Sequence, residues 1–445
     1  MSAALVLWVF VIFVLLLLMG LPIVTGMSFA SLIPHFANAP GATDMSALVR
    51  SIFGSADNTS LLAIPLFILA GIIMSKGAIA QKLFDVFQYF TGRITGGLPC
   101  AAVITCLFFG AISGSAAATA AAVGSMTYPL LVDMGYDKKF SAALIAAAGA
   151  LGVIIPPSIP FVVYASTTGV SLGDLFLAGF IPGTMIAVFL MAYCILYCKR
   201  YGRQRQMCIR DRYGEDREKV DGNYRALREK GFVRVFADGF WALLSPVVVL
   251  GGIYAGIVTP TEAACLSVFY SLFVSLFIYK TIKVDQLLGL MRDAVDALAP
   301  MCLILPIATA FGRALTLLKA PATLSTFILE NFNDKNIILL VIFIFLFLLG
   351  MVMDTTPALL VLPPILLPLM NSIGVDLVHF GIFMTCNLAI GCVTPPFGVD
   401  LFVVSGQTKI PPLEIGKKAI PLIVVFTAAV LLITYIPEIC LFLVY

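Results

Sequence analysis

Two short segments of this chain have the same unusual chemistry: Gly152-Val-Ile-Ile-Pro156-Pro157 and Gly391-Cys-Val-Thr-Pro395-Pro396. Proline inside a helix removes an N–H and frees the carbonyl one turn earlier, at a cost of about 3 kcal/mol. In an apolar medium such a carbonyl needs another partner. A hard cation that takes only oxygen ligands meets that need. The residues nearby are of the right kind: Ser113, Gly114, Ser115 and Ser158 in the first half, and Thr355, Thr356 and Thr394 in the second. Close helix packing accounts for any one of these small residues equally well, and the repeated constellation much less well. Asp354 lies in an otherwise uncharged stretch, Ile337 to Val375. A carboxylate at membrane depth costs about 3 kcal/mol, so such residues usually face a cavity and act there. The alternative role for Asp354 is a helix N-cap. Arg313 can meet a substrate carboxylate with two parallel hydrogen bonds, or snorkel to the interface. Asp400 lies nearer a segment end.

The elements that must position these residues are helices in lipid. Of the 445 residues 61% are hydrophobic and 11% charged, with mean hydropathy +1.06. A soluble surface needs roughly a quarter of its residues charged, so lipid covers most of this chain. Ala3 to Gly20 is uncharged with no basic residue before it, and reads as a first transmembrane helix instead of a cleaved leader. Leu98–Val132 would span about 52 Å as one helix against a hydrocarbon core of about 30 Å, so it must turn back. Gly110, Gly114, Gly124 and Pro129 offer places to bend. The segment from Lys199 to Arg234 holds 12 of the 27 Lys and Arg residues and reads as a cytoplasmic loop.

The halves repeat. Pro65 and Gly71 match Pro306 and Gly312, Gly110 matches Gly350, and Gly152 with Pro156 and Pro157 matches Gly391 with Pro395 and Pro396. Each half orders a helix, an amphipathic stretch (75–93 or 319–335), a hairpin opened by Gly, then a broken helix. Paired interruptions of this kind point to a transporter site at the bilayer midplane. The segments are therefore 1–60, scaffold; 61–198, first repeat; 199–234, basic loop; 235–296, linking helices; 297–418, second repeat; and 419–445, a last helix. His35 and His379 stand alone, no CxxC exists, and Asp354 has no evident acid–base partner, so neither a zinc site nor an enzyme is expected. A net charge of +3 without a basic stripe sets nucleic acid aside.

GAISGSAAATAAAVGSM, LGVIIPPSIPFVVYA, FLAGFIPG, TPTEAA, GMVMDTTPALLVLPPILLP and TPPFGVDLFV resemble the large membrane subunit of the tripartite ATP-independent periplasmic (TRAP) transporters. The resemblance covers nearly the whole chain except Arg203–Arg212. It implies an all-α polytopic protein of the inner (cytoplasmic) membrane, an elevator-type transporter with two inverted repeats, each with a re-entrant hairpin. It also implies secondary uptake of carboxylate-bearing organic acids driven by a sodium gradient, with Na+ as coupling ion and no other cofactor. The implied partners are a small four-helix membrane subunit and a periplasmic substrate-binding protein. Carried over by motif, the cation sites fall at Ser113, Gly114, Ser115, Gly152 and Pro156, and at Gly350, Asp354, Thr355, Thr356, Gly391, Thr394 and Pro395. Arg313, Ser158 and Asp400 are the expected substrate contacts. Asp400 departs from the family pattern, where an uncharged residue, often Asn, is usual. A stand-alone ion-coupled carrier or exporter is the alternative.

Overall fold

A computed structural model describes residues 2–37, 45–56, 59–92, 94–212, 229–332 and 334–445. The N-terminal region holds three helices, α1 (Ser2–Leu18), α2 (Ile23–Phe36) and α3 (Met45–Ala56), where the sequence suggested one. Pro34, His35 and scattered hydroxyls hide α2 from a hydropathy reading.

The first repeat is α4 (Ala63–Lys76), α5 (Ile79–Thr91), α6 (Gly97–Ser113), α7 (Ala116–Asp133), α8 (Lys138–Gly149), α9 (Ile159–Thr168) and α10 (Leu172–Arg212). The linking helices are α11 (Gly231–Tyr254) and α12 (Pro260–Phe273). The TPTEAA motif starts α12: Thr259 and Glu262 cap its end reciprocally, with Thr259 N donating to Glu262 Oε2 over 2.8 Å. The second repeat is the later part of α13 (Leu287–Leu317), then α14 (Ala320–Asn331), α15 (Lys335–Gly350), α16 (Thr355–Ser372), α17 (Leu377–Gly391), α18 (Val399–Thr408) and α19 (Pro412–Tyr435). A short α20 (Glu438–Leu441) closes the chain.

The two halves correspond down to single backbone conformations. Left-handed Ala78 precedes α5 as left-handed Lys319 precedes α14. Gly135 and Gly374 have positive φ before Asp137 and Asp376, whose side chains cap α8 and α17. Both Pro-Pro bonds are cis. The basic segment is partly helical, since α10 runs on through Arg- and Gln-rich sequence that favours helix; 213–228 lie outside the described residues.

The repeats are inverted, and α10 is the ruler that shows it. Near its start, Leu175 and the neighbouring Tyr164 back onto Gly381 in α17, and the Tyr164 hydroxyl donates to Leu377 O over 2.7 Å. Near Tyr197, about 33 Å further along the helix, the ring stacks on Phe140 at the start of α8, centroids 4.0 Å apart. So α8 and α17 begin on opposite faces of the protein. The antiparallel α19 agrees: Glu414 at its start pairs with Lys139 of α8 at 2.7 Å, while Ile433 O near its end lies 2.8 Å from His379 Nε2 of α17. The hairpins likewise enter from opposite faces. α6–α7 starts beside Cys194 and Cys198 of α10. α15–α16 starts where Lys335 Nζ donates to Gly374 O over 3.2 Å. The halves interlock reciprocally, α7 packing on α18 and α16 on α9.

Six described helices are long and apolar enough to cross a membrane, or seven if α4 and α5, bent by 64°, count as one span. The fold is therefore all-α and polytopic, with two inverted repeats, each holding a hairpin against a broken helix.

Candidate functional site

Each hairpin tip sits on the break of its own repeat, and glycine is what lets it approach. A Cβ on Gly152 would lie 2.4 Å from Thr119 Oγ1 and 2.6 Å from Ser115 O. A Cβ on Gly391 would lie 2.3 Å from the Gly350 carbonyl carbon. Gly110 and Gly350 meet these two glycines at matched positions. The internal offset thus has a direct physical cause: two backbones in contact at the same place in both halves.

At the first tip, Gly114 adopts φ +63°, which turns the chain between α6 and α7. Its carbonyl accepts from Ile159 N over 3.2 Å, which joins the tip to the far side of the break. Thr119 Oγ1 donates to Ser115 O over 2.8 Å and lies 2.8 Å from Ser113 Oγ. Ser113 is buried and Ser115 half-buried, and both reach a cavity of 350 Å³ that also contacts the Lys76–Asp293 ion pair. Thr119 was missed from the sequence. Its only signal is a lone hydroxyl within AAATAAA, which close packing explains as readily. Pro156 and Ser158 are buried, and the Ser158 hydroxyl is committed to Val153 O at 2.5 Å.

The second tip is built differently. Asp354 caps α16, its Oδ1 accepting from Thr355 N over 2.8 Å, yet it is exposed. A cap role and an accessible charge therefore coexist. The Cys392 thiol joins tip to break, 3.8 Å from Asp354 Oδ1 and 3.6 Å from Thr355 Oγ1. Thr355 and Thr356 are buried. Thr394 directs its hydroxyl to Ile390 O over 2.8 Å, so its carbonyl is the group that faces the turn at Gly398. Pro395 is half-buried, and Pro396 and Phe397 are exposed, whereas the first break is closed over.

The expected substrate contacts do not converge. Arg313 lines a separate cavity of 590 Å³ with Ser55, Ser166, Thr167, Thr309 and Thr316, and its Nη1 donates to Ser51 Oγ over 2.8 Å. Asp400, 1% exposed, lies in the first turn of α18 behind the second break. Among the described residues no group of three or more His, Cys, Asp or Glu is placed to hold a metal ion, so a cation here would draw mainly on hydroxyl and carbonyl oxygen, with Asp354 the carboxylate at the second tip.

Residues 10–439, which hold both tips and both breaks, match the DctM component of the tripartite ATP-independent periplasmic transporters. The chain belongs to this family. It is 40% identical over 430 residues to an isethionate TRAP transporter permease of Oleidesulfovibrio alaskensis, covering 97% of this chain and 65% of that longer protein. It is 34% identical to a C4-dicarboxylate TRAP transporter large permease of Pseudomonas aeruginosa, covering 89% of this chain and 88% of the relative. It is 32% identical to a sialic acid TRAP transporter large permease of Vibrio cholerae, covering 96% of each. Among solved structures the YdaH transporter of Alcanivorax borkumensis shares the fold at TM-score 0.59 and 12% identity, covering 88% of this chain and 87% of that one. The MtrF efflux pump of Neisseria gonorrhoeae does so at TM-score 0.58 and 14% identity, covering 88% and 83%. The chain thus shares its fold with these two transporters, and it is a multi-pass transporter permease, not an enzyme.

Proposed function

We propose that this chain is the large permease subunit for sodium-gradient-driven uptake of carboxylate-bearing organic acids. It works with a small four-helix membrane subunit and receives substrate from a periplasmic binding protein, in the inner membrane. The observation that carries this reading is the matched pair of hairpin tips on Pro-Pro breaks, each edged by hydroxyl or carboxylate oxygen. Sodium is held at Ser113, Gly114, Ser115, Thr119, Gly152 and Pro156 at the first tip. At the second it is held by Asp354, Thr355 and Thr356, with backbone from Gly350, Gly391, Thr394 and Pro395. The hairpins and breaks move together past the scaffold of α4, α11, α12 and α13.

Orientation follows from charge. The face where α8 and α19 begin carries Lys138, Lys139, Lys199, Arg200, Lys417 and Lys418, and the opposite face carries Asp174, Asp334, Asp376 and Glu438. By the positive-inside rule the first is cytoplasmic. The Arg313 cavity then lies toward the periplasm, where a guanidinium suits arriving carboxylate or sulfonate. The other cavity, at Ser113 and Ser115, lies toward the cytoplasm.

The test is uptake of labelled succinate and isethionate by cells expressing the chain with its small subunit and binding protein. Uptake in sodium medium that collapses in choline medium supports the reading; equal uptake in both refutes sodium coupling.

A further inference from the structure

The two cavities beside the hairpins are twofold mates, one toward each face of the protein. At the repeat offset that carries Gly71 to Gly312, Ile68, Ile72 and Ser75 on the wall of the first become Thr309, Arg313 and Thr316 on the wall of the second. One wall of each is a scaffold helix, α4 or the later part of α13. The other is a hairpin: Ser113 and Ser115 in the first cavity, Leu360 and Pro364 in the second. In each, a basic side chain ties the scaffold helix to a neighbour. Lys76 of α4 pairs with Asp293 near the start of α13, and Arg313 Nη1 donates to Ser51 Oγ of α3 over 2.8 Å. Asp293 and Ser51 lie within one residue of equivalence under the same offset.

The mates differ in charge. Asp293 lines the first cavity beside Lys76 and cancels its charge. Among the described residues no acid lines the second cavity, and no ion pair involves Arg313. A cationic cleft with low-dielectric walls concentrates anions, and a neutralised one does not. The Lys76 and Asp293 side chains are 56% and 45% exposed, so the attraction between them is weak and screened by water. Another anion can therefore take the place of Asp293 on the ammonium. An anion leaving the first tip is well placed to do so, because Ser113 and Ser115 share the cavity with Lys76.

We propose that Lys76 is the contact of a carboxylate or sulfonate departing to the cytoplasm, and that Asp293 competes with the substrate for it. The exit cavity then lets go of an anion that the Arg313 cavity attracts. Such an asymmetry leaves the driving gradient unchanged and speeds release, since weaker binding is mostly faster dissociation. This rests on the organic-acid uptake reading and the orientation above.

The experiment is equilibrium binding of labelled succinate and isethionate to the purified full-length chain at constant ionic strength. Asp293→Asn keeps the size of the side chain and removes the competing charge. It is expected to bind at least one of the two anions about tenfold more tightly than wild type, the worth of one charge-assisted hydrogen bond. Adding Lys76→Met is expected to abolish that gain. Asp293→Ser gives the same reading if the Asn variant does not fold. In cells with the small subunit and binding protein, Asp293→Asn should take up the labelled anion more slowly, because release now limits turnover. Wild-type binding by the Asp293 variants, a gain that survives Lys76→Met, or uptake unchanged by tighter binding each overturns the proposal and leaves the uptake reading intact. Failure of the wild-type complex to take up either anion refutes that reading instead, whatever the Asp293 variants bind.

Discussion

Gly391→Ala tests whether backbone contact between tip and break holds the site together. The added methyl would sit 2.3 Å from the Gly350 carbonyl carbon and 2.4 Å from Gly350 Cα, where ordinary contacts begin at 3.4 Å. Both obstacles are backbone, so relief requires α15 and α17 to part by about 1 Å. Overpacking of this kind costs about 1–3 kcal/mol, and rigid obstacles put it near the top of that range. At about 2 °C per kcal/mol for a chain of this size, the melting temperature should fall by roughly 6 °C. Gly152→Ala should cost less, because one of its obstacles is the Thr119 hydroxyl, which can rotate at the expense of its hydrogen bonds. Gly406→Ala is the control: nothing lies within 4 Å of its added methyl, and alanine in α18 should stabilise by about 0.5–1 kcal/mol. Melting of the three purified variants by intrinsic fluorescence, with and without sodium, reads all of this. The 391 variant should also lose its response to sodium. If Gly391→Ala melts like Gly406→Ala, tip and break are not in backbone contact and the site as described does not exist.

Two further outcomes follow from particular contacts. Asp354→Asn and Thr119→Val should each lower sodium-dependent uptake while leaving membrane expression unchanged, the first by removing charge and the second by freeing Ser113 Oγ and Ser115 O; wild-type sodium dependence in both would sink the ligand assignment. At the face where α8 and α19 begin, the Lys139 ammonium beside Glu414 holds that carboxyl below its usual value. A depressed acid contributes stability above its unfolded pKa, ~4.3, and loses it as pH falls through the folded value. The melting difference between wild type and Lys139→Met should therefore be present at neutral pH, close in acid, and shrink in high salt.

Much of the fold was legible because lipid enforces it. An uncharged run of 35 residues from Leu98 to Val132 has to fold back, and it does so at Ser113–Ser115. The offset of about 240 residues was legible because Gly110–Gly152 and Gly350–Gly391 are packing contacts that admit no side chain. The inversion of the halves was implied only by the family resemblance, since hydropathy carries no direction; the contacts that α10 makes at its two ends show it directly. Thr119 was hidden because a hydroxyl in an alanine run has the same spelling whether it packs or ligates. Cys392 has no sequence signal of its own, and only the fold brings it to Asp354 and Thr355. For Asp400 the sequence offered a charge near a segment end, and burial supplied the rest.

The central claim is that sodium binds within this chain at the paired tips. The most direct measurement is the melting temperature of the purified subunit in sodium against potassium and choline at equal ionic strength. A ligand that binds only the folded state stabilises it by RT ln(1 + [L]/Kd), about 2.7 kcal/mol at a hundredfold excess over Kd. A sodium-selective rise that Asp354→Asn abolishes is the predicted result. Identical melting in all three cations, alone and in complex with the small subunit, would contradict the account.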